Sequence, residues 1–315
     1  MARKRLSKMS ISIVTTTINS PTEATIKFCK IAQEKEYIFF IVGDKKTPHE
    51  LYQKLAKEHG KAVQYIHPDE QEYSLKELSD NIGWNSIQRR NIGFIYASKT
   101  NNTIIATVDD DNIPYDSWSS DIHIDKTIEC DLYENDSGVF DPLSVTNYPH
   151  LWHRGFPIEL LWKKNSFIYR GKTHLKPLIQ ADLWDGDPDI DAMCRLSYKP
   201  LVKFDITRPY CSTNISPFNS QNTFLHKSVM KHYYVLPHVG RMDDIWPSYT
   251  IQRVFPNSLI YNKASVYQDR NPQDLIKNLE NEIVGYRNTL KLINNEDVLP
   301  TRSKEFIEIY QSLYE

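Results

Sequence analysis

Apolar and polar positions alternate in blocks along the first third of the chain. Residues 11–17 (ISIVTTT) form a β-branched run with the composition of a buried strand. Ser20-Pro21-Thr22-Glu23 follows, a capping box with proline at the first helical position, and Ala24, Phe28 and Ile31 then recur at helical spacing. Residues 37–42 (YIFFIV) predict a second strand, closed by Gly43-Asp44. Thr47-Pro48-His49-Glu50 repeats the helix-start signal, and Gly60 stops that helix. Residues 62–66 predict a third strand and 86–98 a helix. Residues 103–108 (TIIATV) predict a fourth strand that runs directly into Asp109-Asp110-Asp111. This alternation predicts an α/β fold: a Rossmann-like, mostly parallel central sheet flanked by helices, with ligands at the carboxyl ends of the strands.

Beyond about residue 115 the pattern turns irregular and rich in Pro, Asn, Asp and aromatics, as specificity-bearing surface segments are. Trp152 and Trp162 are expected in the core there. Near the C-terminus, Asn271-Pro272-Gln273-Asp274 opens an amphipathic helix with Leu275, Leu279, Ile283, Tyr286, Leu290 and Ile293 on one face. No internal repeat or low-complexity linker interrupts the chain.

Composition narrows the function. The 315 residues are 40% hydrophobic, enough for a substantial core, and 38 basic against 40 acidic side chains give a net charge of -2. That balance predicts no broad attraction to nucleic acid or to anionic membranes. The basic start, MARKRLSK, reads as a solvated terminus in preference to a membrane anchor. Cys29, Cys130, Cys194 and Cys211 are scattered, without a CxxC, and are expected as reduced thiols. With no long apolar run and no signal-peptide core, the expectation is a soluble, cytoplasmic protein with no transmembrane segment.

The acidic triplet is the first candidate for chemistry. Three consecutive carboxylates repel one another unless a counter-charge is supplied. A hard divalent cation, Mn²⁺ or Mg²⁺, removes that cost and keeps positions open for phosphate oxygens. Such an ion would also stabilise a departing nucleoside diphosphate. In strand geometry Asp109 and Asp111 would share a face and Asp110 would point away. The plainer reading is an acidic turn in which Asp111 and Asn112 cap the backbone before Pro114.

An ordered set of motifs runs from about residue 12 to 270: Thr15-Thr16-Thr17, Val42-Gly43-Asp44-Lys45-Lys46-Thr47-Pro48, Arg90-Asn91-Ile92-Gly93 and Val108-Asp109-Asp110-Asp111-Asn112. The set continues through Arg154-Gly155-Phe156-Pro157, the segment 184–192 (WDGDPDIDA), Phe218-Asn219-Ser220-Gln221-Asn222 and the segment 240–246 (GRMDDIW). Together they resemble the STELLO-type glycosyltransferases and, more distantly, the reversibly glycosylated polypeptides that act as UDP-arabinopyranose mutases. The resemblance implies a GT-A-like domain over 1–270, with a nucleotide-binding half at 1–112 and an acceptor half at 113–270. A helical extension, 271–315, would pack on it.

The resemblance also implies roles. Thr15, Thr16, Thr17 and Asp44 would hold the nucleoside, with Arg90 near the diphosphate or nucleoside. Asp109 and Asp111 would engage ribose and metal, with Asp110 in the same cofactor site. Asp244, and after it Asp243, would be the general base that takes the proton of an acceptor hydroxyl. A helix N-terminus with two aspartates set against the dipole is the alternative, and the two roles can coexist. Arg154 lies in a context similar to the mutases' sugar-carrying arginine, but phosphate or substrate contact is the preferred reading. Trp184 would stack on a sugar, with Asp185, Asp187, Asn219, Asn222 and Arg241 as further substrate contacts, Arg241 alternatively being an ion-pair partner. Asp185, Asp187, Asp189 and Asp191 also suggest a calcium loop, but they lack the EF-hand's terminal Glu.

One departure concerns the metal. Many GT-A enzymes add a histidine ligand near the end of the catalytic domain; after His238 this chain has none, and the corresponding place offers Gln268, Asp269 and Arg270, with His226 a remote candidate. The expected function is metal-dependent, inverting transfer of a hexosyl or pentosyl group from a nucleotide sugar, a UDP-sugar, to a glycan or other hydroxyl acceptor. The alternatives are a nucleotide-sugar mutase and a non-catalytic scaffold within a glycan-synthesis complex. Hydrolase and dehydrogenase readings lack their motifs: no GxSxG or HExxH occurs, and no GxGxxG follows the first strand.

Overall fold

A computed structural model describes residues 10–270 and 272–315. The basic run at 1–8 and Asn271, expected at a helix start, lie outside the described residues. The first elements are β1 (Ile11–Thr17), α1 (Glu23–Lys35), β2 (Ile38–Gly43), α2 (His49–His59), β3 (Val63–Ile66), α3 (Pro68–Ser74), α4 (Lys76–Ile82), α5 (Arg90–Ser98) and β4 (Ile104–Val108). The rest comprises β5 (Asn112–Pro114), β6 (Ile128–Asn135), β7 (Phe167–Leu175), β8 (Ile179–Gly186), α6 (Ala192–Ser197), β9 (Tyr210–Ser212), β10 (Asn222–His226), α7 (Ile245–Val254), β11 (Leu259–Gln268), α8 (Leu275–Ile293) and α9 (Thr301–Ser312). One sheet joins the strands in the order β3-β2-β1-β4-β10-β8-β11-β9-β6-β7, with β5 paired to β11. The first four run parallel, β10 turns antiparallel against β4, and β8 and β11 are parallel neighbours. The expected α/β sheet flanked by helices, with a C-terminal helical segment, is the fold.

Local chemistry explains these elements and corrects some of their ends. All seven residues of β1 are buried, as a strand covered on both faces must be. The cap of α1 is Thr22, whose hydroxyl accepts the N–H of Thr25, so the helix starts two residues later than Ser20 predicts. Thr47 does not cap α2. Its hydroxyl donates to the Thr17 carbonyl at 2.6 Å and accepts the Asp44 N–H at 2.7 Å, tying the ends of β1 and β2 together. Segment 86–98 divides into a 3-10 turn, Ile87–Arg89, and then α5. Helix α5 lies flat on the sheet at Gly93, where a Cβ would stand 2.5 Å from Val14 Cγ1 and 2.8 Å from Val42 Cγ2.

The C-terminal helices pack against the rest of the molecule. The buried line of α8 is Glu282, Gly285, Thr289 and Leu292, one residue N-terminal to the apolar line Ile283, Tyr286, Leu290 and Ile293. That is a rotation of about 100°. Its cause is a set of specific contacts: Glu282 accepts Arg241 Nε at 2.7 Å, Thr289 accepts the Trp246 indole N–H at 3.0 Å, and Gly285 admits the Met242 side chain. Helix α9 buries Phe306 and Tyr310 against Tyr234. Trp152 is buried as expected, but Trp162 is 94% exposed, so its expected core place is corrected: it lies on a short 3-10 turn, Ile158–Lys163, none of whose residues is buried. Among the described residues no helix is long and apolar enough to cross a membrane, and the four cysteines are free and buried.

Candidate active site

The carboxyl ends of β1 and β4 open on a cavity of about 560 Å³, closed on the far side by the end of β11 and by residues 240–244. A groove of about 190 Å³ continues from it between Thr16, Thr17, Asn19, Asp44 and Asn85. Asp110 and Ser86 line both.

The triplet is a turn and not a strand continuation, so strand alternation does not govern it: all three carboxylates line the cavity. Asp109 pairs with Arg90, which is fully buried and also donates to the Ser220 carbonyl at 2.9 Å and hydroxyl at 2.7 Å. Burial pushes the Asp109 carboxyl up, while Arg90 pulls the other way. Asp110 accepts the Thr17 hydroxyl and, at 2.9 Å, the Asn19 amide. Asp111 keeps a buried Oδ1 with no partner. Burial and the neighbouring Asp109 push its carboxyl up to about 7, against the pull of Arg270.

Opposite stand Asp243 and Asp244, at the start of α7. Asp244 is not the side-chain cap of that helix; its oxygens accept Arg154 Nη2 at 3.0 Å, the Ser220 N–H at 2.8 Å and the Ser220 hydroxyl at 3.0 Å. Asp243 accepts the Gln88 amide at 2.8 Å. Burial and the charge of Asp244 push it up to about 7. Gln88 sits just before α5, so this bond joins the nucleotide-side loop to the acceptor-side carboxylates.

Several expected contacts lie elsewhere. Thr16 and Thr17 reach the cavity or groove, but Thr15 is buried within β1 and lines neither. Asp44 lines the groove while accepting the backbone N–H groups of Asn85 at 2.9 Å and Ser86 at 3.0 Å, which fixes the loop before α5. Trp184 cannot stack on a sugar: it is 3% exposed, packed edge-on against His153 and Phe204. Asn222 is spent inside the sheet, between Trp118, the Leu183 carbonyl and Ser265. Asp185 accepts the Tyr115 hydroxyl and the Phe204 N–H, and Asp187 pairs with Arg195. Asp191 caps α6, and Asp189 binds Arg154, so each of the four supposed calcium-loop aspartates has a protein partner. Asn219 donates to Asp189 at 2.9 Å and supports Arg154 from behind.

Arg154 does line the cavity, yet it is committed. Its Nε and Nη2 donate to Asp189, Nη2 also to Asp244, and Nη1 to the Arg241 carbonyl. Burial would lower its proton affinity, but Asp189 and Asp244 raise it well above the ordinary value; reciprocally Arg154 holds the buried Asp189 far below the carboxylate range. Arg241 lines the cavity with its Nε on Glu282. His226 is at the other end of the sheet: it pairs with Ile104 where Asn222 pairs with Val108, about 13 Å away along the strand. Sequence reading missed Ser86, Gln88, Ser220 and Gln221; the polar run before Arg90 was the available signal.

The layout and the cavity define the class: an α/β protein with helices flanking its sheet and an acidic turn at the end of its fourth strand. No protein-family model matches the chain, and no curated protein matches it in sequence. Its solved structural neighbours include mannosyl-3-phosphoglycerate synthase from Rubrobacter xylanophilus, 10% identical with a TM-score of 0.46 over 93% of this chain and 76% of that one. TarS residues 1–349 of S. aureus is 12% identical, TM-score 0.44, over 98% of this chain and 71% of that one. A mycobacterial protein is 10% identical, TM-score 0.44, over 93% and 76%.

Proposed function

We propose that this protein transfers a sugar from a nucleoside-diphosphate sugar, a UDP-sugar, to a hydroxyl acceptor. The observation that carries the reading is the gathering of the 109–111 carboxylates and the 243–244 carboxylates in the lining of one cavity at the strand ends. The groove with Thr16, Thr17 and Asp44 takes the nucleoside, and the diphosphate lies toward Arg90 and the triplet. The orphaned, buried Asp111 oxygen beside a second carboxylate fits a hard cation, so Asp109 and Asp111 would hold Mn²⁺ or Mg²⁺. When bound, that ion offsets the charge of the diphosphate.

Asp243 takes the acceptor's hydroxyl proton in this reading. Asp244, the first choice from sequence, accepts three donors including the Arg154 guanidinium, whereas Asp243 accepts only the Gln88 amide and the Asp244 N–H, and burial and the charge of Asp244 push its carboxyl up to about 7, in the range where a general base works best. The acceptor oxygen then bonds to the anomeric carbon as the bond to the phosphate oxygen breaks on the opposite face, and the nucleoside diphosphate leaves with inversion. A mutase would need Arg154 to present a free nitrogen lone pair to the sugar, and its contacts with Asp189 and Asp244 keep it protonated and occupied.

Thermal stabilisation by UDP, GDP, CDP and CMP, each with Mn²⁺ and with EDTA, tests the proposal. One nucleoside diphosphate is expected to stabilise the fold, more with Mn²⁺ than without, by about 2.7 kcal/mol at a hundredfold excess over its dissociation constant. Absence of stabilisation by all four would overturn it.

A further inference from the structure

The wall where β11 ends carries two polar side chains with nothing to bind. Gln268 is 1% exposed, and neither its amide nitrogen nor its carbonyl oxygen has a hydrogen-bond partner. It stands beside Asp111, near enough to draw that carboxyl's proton affinity down slightly but without a properly formed bond. Two residues on, Arg270 has a side chain only 6% exposed, with neither Nε nor Nη2 in a hydrogen bond, although Nε forms a long ion pair with Asp187. Both residues line the main cavity, together with Asp111.

A buried guanidinium with idle donors is unusual, because unmade hydrogen bonds to a charged group are expensive. Burial pulls the Arg270 proton affinity down, yet a guanidinium remains charged at any ordinary pH. The neighbouring acids do not consume it. Asp187 is 3.5 Å from its Nε but is paired with Arg195, and Asp189 is held by Arg154. The ion pairs among the described residues do not join Arg270 to Asp111. The charge is therefore fixed and buried in the wall of a cavity that Asp243 and Asp244 also line.

We infer that Arg270, with Gln268 beside it, is a diphosphate-binding subsite that works without a metal ion. The inference rests on the transferase reading and adds a residue pair to it. The two idle guanidinium nitrogens match two phosphate oxygens, and the Gln268 amide adds a neutral donor. As the bond from the anomeric carbon to the phosphate oxygen breaks, its electron pair stays on that oxygen, and the fixed guanidinium stabilises the charge where it develops. The protein thus carries part of the counter-charge for its leaving group in its own chain.

Calorimetric titration of the intact protein in EDTA tests this, with inorganic pyrophosphate, UDP and uridine as probes. Arg270→Gln is expected to weaken pyrophosphate and UDP about 10- to 100-fold and to leave uridine within about threefold. Unchanged pyrophosphate affinity in Arg270→Gln, or no binding of pyrophosphate to the wild type in EDTA, overturns the subsite. Circular dichroism establishes that the variant is folded; if it is not, Gln268→Leu carries the test, with a loss of about threefold or more expected and an unchanged affinity fatal. The two readings fail separately. Metal-dependent nucleotide binding that survives Arg270→Gln intact removes the subsite alone, whereas a wild type that binds no nucleoside diphosphate even with Mn²⁺ removes the transferase.

Discussion

At the scale of single residues, two adjacent aspartates with the same chemistry have different surroundings. Asp244 is a structural acceptor, holding Arg154 and Ser220 in place; burial pushes the Asp243 carboxyl at the cavity wall up to about 7. Asp243→Asn should lower the turnover number about 10²- to 10⁴-fold with donor affinity unchanged. Asp244→Asn should instead cost about 1–3 kcal/mol in urea unfolding, because Arg154 and Ser220 lose an acceptor. Near-normal transfer by Asp243→Asn would return the base to Asp244. Sequence brought both aspartates to notice but could not rank them. The donors that distinguish them sit 24 and 90 residues away in the chain, where no local pattern reaches. Trp184 was misplaced for a related reason: an aromatic in a polar, aspartate-rich segment looks available for stacking until its neighbours His153 and Phe204 are known.

Among the elements, β1, β2 and β4 were legible because strands buried on both faces are rich in β-branched and apolar residues, and β3 and α5 were legible from their place in the strand–helix alternation. The interface between helix and sheet was not. Gly93 is the contact that lets α5 descend onto Val14 and Val42, and α5 in turn carries Arg90 to Asp109. Gly93→Ala should destabilise the fold by about 1–3 kcal/mol through overpacking, and should weaken nucleoside diphosphate binding by displacing Arg90. Equilibrium unfolding together with titration of the diphosphate checks both, and wild-type values in each would show that the helix can yield. The one-residue rotation of α8 escaped prediction because Glu282, Gly285 and Thr289 are not apolar, and periodicity counts only apolar positions.

For the molecule as a whole, buried carboxyls set the response to pH. Burial pushes Asp111, Asp182, Asp191 and Asp243 up to about 7. A carboxyl raised on folding holds its proton more tightly in the folded state, so stability falls as pH rises from about 4 through 7. His49, His123 and His232, lowered by burial, oppose this below about pH 6.5. Asp189, held low by Arg154 against the effect of burial, contributes stability that is lost only in strong acid. The metal-free protein should therefore melt higher near about pH 5 than near about pH 6, and several degrees lower again at about pH 8. Asp182→Asn, remote from the cavity, should raise the melting temperature at pH 8 and flatten the profile. A wild-type melting temperature that climbs steadily from pH 6 to 8 would contradict the assignment.

Helix α8 also sets a timetable. The groove at the ends of β1 and β2 is shaped by neighbouring strand–helix units within roughly the first third of the chain. The segment bearing Asp243 is braced by Glu282 on Arg241 and by Thr289 on Trp246, partners 41 and 43 residues further along. A chain emerging from the ribosome can therefore shape that groove long before the wall bearing Asp243 is supported. The two sides of the cavity mature in sequence, and synthesis beyond residue 289 is what completes the second.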